Sequence, residues 1–466
     1  MPEKSWADSG VKLSSQIPAN PSELSFDDVG EFAWKTFVAL NWPANCSDGS
    51  SLGNIGEYPT HPRVWEFYDF PKNIFVQPGK EPTSKVVPYQ CRALTESTPD
   101  PDEADLDEIS IYLPGELSNP RSQVLVDRFG NYVINETRMN PVEVDQVVRN
   151  QWYSATKLAN KKFDNNVSSA GNPFQFLCSV KDKDGTYPTA PLEESPKAPC
   201  RTDDTKGQSE SDDTSMGAIE LKAAWMVLSN PDTSKPSPLP DLSKYYTTRR
   251  TFNLTNQDGS ITKVENVSVA LIGFHIIQKT SKTGWVWSTF EQVDNAPNAK
   301  NSNCYKPPRF KEPDYYNLYN PQSNSIPNES LATPPYLWGK KFPYAVTTGN
   351  NQQTPSQITR QVCIPQFAAD LNRTWQEERL QGSVWQNYQL IGVQWLGSPS
   401  TPYPYSQGNL SNQQLINVAL EPYPQSKNHD NTGFSCVACH QQAKLPESVY
   451  PNKIYSDFSF MMSHAK

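Results

Sequence analysis

The residues Cys436-Val437-Ala438-Cys439-His440 stand near the C-terminal end of a chain of 466 residues. Two thiols two residues apart, followed at once by an imidazole, form the attachment pattern of a c-type haem. The thiols add across the two vinyl groups of the porphyrin, and one short helical turn sets their separation. The adjacent His440 then reaches under the ring as the proximal ligand of the iron. The spacing therefore implies one covalent haem c, and with it a redox protein. Two other chemistries use Cys-x-x-Cys. A zinc site would draw further ligands from His429, His440 or His464. A thioredoxin-like dithiol wants the motif just after a strand of a βαβ unit. Here the motif follows an Asn/Asp/Gly-rich stretch, 428–433, and His429 and His464 are not spaced as a second ligand pair.

The sixth position of the iron separates an electron carrier from a catalyst, because a Met or His there closes the site and an open face admits ligands. Only 26 residues follow His440. Within them Met461 or Met462 can fold back as a distal ligand, or both can pack as core beside Phe458 and Phe460, the commoner use of Met. His275 is the other distal candidate. It lies in the apolar run Ile272-Gly273-Phe274-His275-Ile276-Ile277, and Gly273, two residues away on the same strand face, would leave room for a flat cofactor. Glu291 and Trp287 lie on the next strand. A carboxylate there is a candidate proton relay beside a haem, against the plain reading of Glu291 as an ordinary strand residue.

These groups must be carried by the elements around them. A first helix is expected from Asp28, with Asp28 and Glu31 as a capping-box pair and Val29, Phe32, Ala33, Phe37 and Leu40 as its apolar face, stopped by Pro43. A second runs from about Pro141 to Lys161 behind an Asn140 cap, and a third from about Gln366 to Leu380. Short strands are expected at 63–68 and 123–127. Stretch 218–228 reads as a strand. Stretches 267–280 and 285–293, joined by Lys282-Thr283-Gly284, read as a hairpin, and strands near 384–396 and 415–420 lead to the motif. Residues 97–108 read as an acidic loop and 181–215 as a long solvated loop. No 20–50-residue repeat is present. The expected fold class is α+β: a mainly antiparallel, β-rich body over 25–424 with peripheral helices, a flexible N-terminal arm over 1–24, and a C-terminal haem segment over 425–466.

Composition narrows the partners. The net charge is −9 with no basic stripe, which argues against nucleic acid. The longest apolar run, 269–277, is too short to span a membrane. The expected partner is a redox protein, joined by a small-molecule substrate if the chain is an enzyme. The 42 prolines, 12 Trp and 21 Tyr fit rigid loops around an aromatic core. Outside the motif, Cys46, Cys91, Cys178, Cys200, Cys304 and Cys363 lie mostly in polar stretches, and their even number suggests disulfides, with sequential pairing and Cys178–Cys200 foremost. Disulfides and covalent haem both belong outside the cytoplasm, in the periplasm or beyond. The N-terminus lacks the apolar stretch of a signal peptide, so a mature form without its leader is expected.

Three blocks together carry a resemblance: 37–43 (FVALNWP); Gly273 to Ile276 with Lys279-Thr280, Trp285 to Glu291 and Asp294-Asn295; and Phe434 to His440 with Asp457 to Phe460. They resemble a family of large bacterial proteins described only as cytochrome c family proteins with one C-terminal haem motif. The resemblance implies an exported single-haem protein with Cys436, Cys439 and His440 as its haem residues. It places the block around His275 and Glu291 within the family pattern, and it implies no particular reaction.

Overall fold

The computed structural model describes residues 13–83, 87–88, 90–92, 109–111, 124–165, 173–176, 217–228, 241–255, 261–300, 304, 313, 315–396, 414–425 and 435–466. The expected loops at 97–108 and 181–215, the Cys178–Cys200 pair and His429 lie outside them. The fold is α+β and built on one seven-stranded sheet. Its strands are β1 (Ile109–Ile111), β2 (Ile134–Met139), β3 (Ile219–Val227), β4 (Thr247–Thr255), β5 (Ile261–Thr280), β6 (Gly284–Gln292) and β9 (Tyr388–Trp395). A separate two-stranded ribbon is formed by β7 (Leu337–Trp338) and β8 (Ala345–Val346). Every pairing in the large sheet is antiparallel except β1 with β4.

The 20-residue β5 organises the sheet. Along one edge it pairs with β3, from Val269 to Gln278. Its other edge is divided: β4 takes 261–270 and β6 takes 273–280. Beyond these, β2 continues from β3 and β9 from β6. Alternation along the strands gives the sheet two faces. Phe274 and Ile276 of β5, Phe290 of β6 and Leu221 and Ala223 of β3 point into the larger apolar core. On the opposite face the register aligns Gly273, His275, Ile277 and Lys279 with Glu291, Thr289, Trp287 and Trp285 of β6, and Ala224, Lys222 and Glu220 of β3 with the first three of them.

Two helices cover the first face: α1 (Phe26–Leu40) and α5 (Gln366–Thr374), the latter continued by a π turn at Trp375–Arg379. Phe37 stacks on Phe290 at 4.3 Å between ring centroids, and Trp34 stacks on Trp375 at 5.3 Å. The start of α1 differs from the expected capping box. Ser25 is the cap, its hydroxyl accepting the Asp28 N–H at 3.1 Å, so the helix begins before Asp28. Glu31 is used elsewhere: it accepts the Trp375 indole N–H at 3.0 Å and the Arg379 guanidinium at 2.6 Å, tying α1 to the π turn.

The expected helix at 141–161 is two helices, α3 (Pro141–Arg149) and α4 (Ala155–Ala159). Asn140 caps α3 as expected. The break follows Asn150, where Gln151 takes a positive φ of 58° and Trp152 turns its N–H back to the Val147 carbonyl. The expected strand at 63–68 is a 3-10 turn over Val64–Phe67. The described part of the expected N-terminal arm is held down: the Pro18 carbonyl accepts the Gln278 amide at 2.7 Å, and Asn20 accepts the Ser281 hydroxyl and the Lys282 N–H, each at 3.0 Å. A short α2 (Pro71–Ile74) and α3 flank β2 and lead to the second face. Two disulfides, Cys46–Cys91 and Cys304–Cys363, follow the expected sequential pairing. Among the described residues no helix is long and apolar enough to cross a membrane.

Candidate haem site

The Cys-x-x-Cys-His residues form a short helix, α6 (Cys436–His440), laid against the second face of the sheet. Ser435 caps it by accepting the Ala438 N–H at 3.0 Å. Val437 points inward, fully buried, and its N–H is directed at the Gln394 side chain of β9 at 3.3 Å. Both thiols of α6 are unpaired, in contrast to the bridged cysteines elsewhere. The segment after α6 runs out to Tyr450 and returns. At Asp457 and Phe458 the backbone takes φ of 50° and 67°, the left-handed region. That bend turns the Phe458 carbonyl toward His440, and Nδ1 of His440 lies 2.8 Å from it.

A carbonyl can only accept, so Nδ1 carries the proton and Nε2 keeps its lone pair. Burial disfavours the imidazolium and lowers the pKa of His440 to about 4, against which the Phe458 hydrogen bond works only in part. The ring is therefore neutral at physiological pH. A neutral imidazole with its far nitrogen held by a carbonyl is the state in which His binds a metal. Trp287 and Phe460 flank it, with ring centroids 5.9 Å and 5.2 Å away. The thiols are protonated: burial first, then the nearby Glu421 charge, pushes both Cys436 and Cys439 above their usual range. These residues fit a covalent haem, with two free thiols one turn apart and an oriented neutral imidazole beside them.

Among the described residues no group of three or more His, Cys, Asp or Glu side chains is arranged to hold a metal ion. Nor, among the described residues, does a parallel βαβ unit precede α6, as a thioredoxin-like dithiol would require.

His275 lies on the same face as α6, opposite Lys222 of β3 and Thr289 of β6. Its Nε2 is 2.8 Å from Oε2 of Glu421, and Nζ of Lys222 is 3.5 Å from Oε1 of the same carboxylate. Burial alone would raise Glu421; His275 and Lys222 outweigh it and hold the carboxyl down to about 2. The cluster adjoins the motif. The Glu421 charge acts on both thiols and on His440, and the His275 and Lys222 charges act on His440. Lys222 and Glu421 escape a reading of the sequence. A Lys in the apolar run of β3 is the one local signal, and nothing around Glu421 marks it.

The turn that carries Glu421 replaces the expected strand at 415–420. Its polar groups bond to side chains rather than to a ladder. Asn417 gives its amide to the Thr289 hydroxyl and the Phe290 carbonyl, both at 2.8 Å, and the Val418 N–H reaches Oε2 of Glu291 at 3.1 Å. Gly273 permits this close approach, for a Cβ there would lie 3.1 Å from Ala419, 3.2 Å from Ala224 and 3.3 Å from Asn417. The room beside Gly273 is thus filled by this turn, where sequence reasoning expected a flat cofactor. Glu291 is fully buried and committed to the Arg360 guanidinium, the Gln389 amide and Val418. These bonds give it a role in holding the turn.

The C-terminal methionines divide. Met462 is fully buried in an apolar cluster with Trp285, Trp287, Val437 and Phe458, as core. Met461 is partly buried against the same cluster. His464 stacks obliquely near Phe75 at 6.1 Å, and His61 meets the Ala44 carbonyl at 3.3 Å. Lys279 and Asp457, paired at 2.6 Å in the interior, anchor the bend that presents the Phe458 carbonyl. No protein-family model matches this chain, and no curated protein or solved structure is significantly similar to it.

Proposed function

We propose that this chain is an exported c-type cytochrome carrying one haem, covalently attached through Cys436 and Cys439 with His440 as proximal ligand, and that it serves in electron transfer. The observation that carries the reading is the hydrogen bond from His440 Nδ1 to the Phe458 carbonyl, on the same helical turn as two unpaired thiols. Bound haem supplies an iron that gains and loses a single electron, at a potential set by its ligands and its burial. The protein's own part is to fix the imidazole, to shield it between Trp287 and Phe460, and to place charge nearby. The two disulfides suit the periplasm or the exterior. The partner is another redox protein, and the net charge of −9 favours one with a basic docking patch.

A second reading, a haem oxidoreductase with an open distal face and a small-molecule substrate, is favoured by one observation. His275 Nε2 is committed to Glu421, with Lys222 on the same carboxylate, so the side chain is held as a proton-handling group rather than as a free ligand.

The test is expression with export through a cytochrome c maturation system. The denatured wild type should carry the added mass of one haem and show its absorption, and the C436S/C439S double variant should carry neither. A wild type without covalent haem sinks the proposal. With haem present, low-spin spectra and no CO uptake by the reduced form support the carrier, whereas ready binding of CO or cyanide supports the oxidoreductase. H275A then tests the distal position, because a carrier ligated by His275 would become high-spin.

A further inference from the structure

Behind the bend that holds His440 lie two glutamates with no part in binding haem. Glu143 stands in the first turn of α3 and Glu220 near the start of β3. Asn140 bolts the two elements together: its side-chain oxygen accepts the N–H of Glu143 at 2.9 Å and that of Ile219 at 3.0 Å, and its amide donates to the Gly217 carbonyl at 3.0 Å. The carboxyls consequently face each other in the interior, Glu143 at 0% and Glu220 at 3% exposure. They stand close enough for each to bear on the other's ionisation, and Glu220 lies beside Ser459. Taken as two ionised groups, both oxygens of Glu143 and Oε1 of Glu220 have no donor. A hydrogen bond between two carboxyls exists only when one of them holds a proton.

The surroundings do not supply the missing positive charge. Asp457 faces Glu220 from the C-terminal segment, and Lys279 of β5 is spent on Asp457. Within the sheet, Glu220 is flanked by Met139 of β2 and Ile277 of β5. Burial, aided for Glu143 by its neighbour's charge, raises Glu143 well above the usual carboxylate range. Burial also raises Glu220, to about 7, although Ser459 and Glu143 draw it down in part. The pair retains a proton at neutral pH. The path to the motif is short, since Ser459 follows Phe458, whose carbonyl holds His440 Nδ1.

We propose that Glu143 and Glu220 form a shared proton site coupled to electron acceptance at the C-terminal motif, keeping one proton throughout, binding a second when the protein is reduced and releasing that second proton on oxidation. The inference rests on the c-type haem reading. The balance is one electron from a one-electron donor protein and one proton from solvent to the carboxyl pair, with no other bond made or broken. An electron adds a negative charge in a low-dielectric interior, where a compensating proton nearby is worth more than in water. A metal clamp is not the alternative, since among the described residues no cluster suited to a metal occurs.

The experiment is potentiometric titration of the matured, full-length protein across about pH 5 to 9, the range in which raised carboxyl pKa values fall. The midpoint potential should fall as pH rises, by up to about 59 mV for each tenfold drop in proton activity, the conversion for a one-electron couple. E220Q should flatten the dependence. The wild type also supplies a readout that needs no variant. The infrared spectrum of the reduced minus the oxidised protein, recorded at an electrode, should show a protonated-carboxyl band gained on reduction and shifted in heavy water. A haem-bearing protein with a pH-independent potential and no such band overturns this inference and leaves the haem reading standing. A chain that matures without haem overturns both.

Discussion

His440 owes its readiness as a ligand to a carbonyl 18 residues away, and that carbonyl is aimed by a buried Lys279–Asp457 pair. The proposed ligand residues stand out in the sequence because five contiguous side chains suggest the chemistry. Their supports do not, because Phe458 contributes only backbone and Lys222 and Glu421 meet His275 through sheet register and a turn. Glu421 offers the cleanest residue-level test. Its folded pKa of about 2 lies below its ordinary 4.5, so it binds fewer protons folded than unfolded. The stability it contributes is present above about pH 4.5 and is lost as pH falls toward 2. Glu421→Gln should therefore cost on the order of 3 kcal/mol at neutral pH, from the size of that shift at 1.36 kcal/mol per unit. Urea titrations at neutral and acidic pH check this, and the gap between wild type and variant should close as the pH is lowered. A gap that persists unchanged at low pH would show that the substitution disrupts packing instead.

At the scale of elements, the β5–β6 hairpin was readable from alternation and its turn, and the register then places His275, Trp287 and Lys222 on one face without further information. What covers that face was not readable. Sequence periodicity gave 415–420 the look of a strand, yet its polar groups bond to Asn417, Thr289 and Glu291 side chains. Similarly, the Asn140 cap and Pro141 opened a single expected helix over 141–161, while the positive φ at Gln151 divides it into two helices. Gly273 is where this covering turn presses closest to the sheet. Gly273→Ala should introduce a methyl into contacts of 3.1 to 3.3 Å with Ala419, Ala224 and Asn417. We expect a loss of about 1–3 kcal/mol from overpacking, together with faster amide exchange at Val418 as the turn lifts from Glu291. Wild-type stability and exchange in the variant would show that the turn yields without cost.

At the scale of the whole molecule, the question is whether the segment proposed to carry haem is an appendage or part of the body. Sequence reasoning separated 425–466 because the motif stands near the chain end. The packing joins it. Val437, Leu445, Tyr450, Phe458 and Met462 share one apolar cluster with Met139 of β2, Val144 and Val147 of α3, Leu158 of α4, and Trp285 and Trp287 of β6. Even the last residue is tied in, with the Lys466 carbonyl accepting the Ala155 N–H at 2.7 Å. Each large side chain buried there stabilises by about 1.5–3 kcal/mol relative to exposure, so the segment cannot leave without exposing a core that β2, α3 and β6 need. This also bears on size. A sheet of seven strands is far more than one haem would require for attachment, but its second face is what positions His275 and Lys222 beside the motif and Glu220 beside the segment that follows it. Thermal unfolding followed by visible absorption at the haem and by far-ultraviolet circular dichroism should therefore give coincident midpoints, as a single cooperative unit does. A visible transition that clearly precedes loss of sheet signal would mean that the segment detaches from a body able to stand alone, and the coupling argued for Glu143 and Glu220 would lose its structural footing.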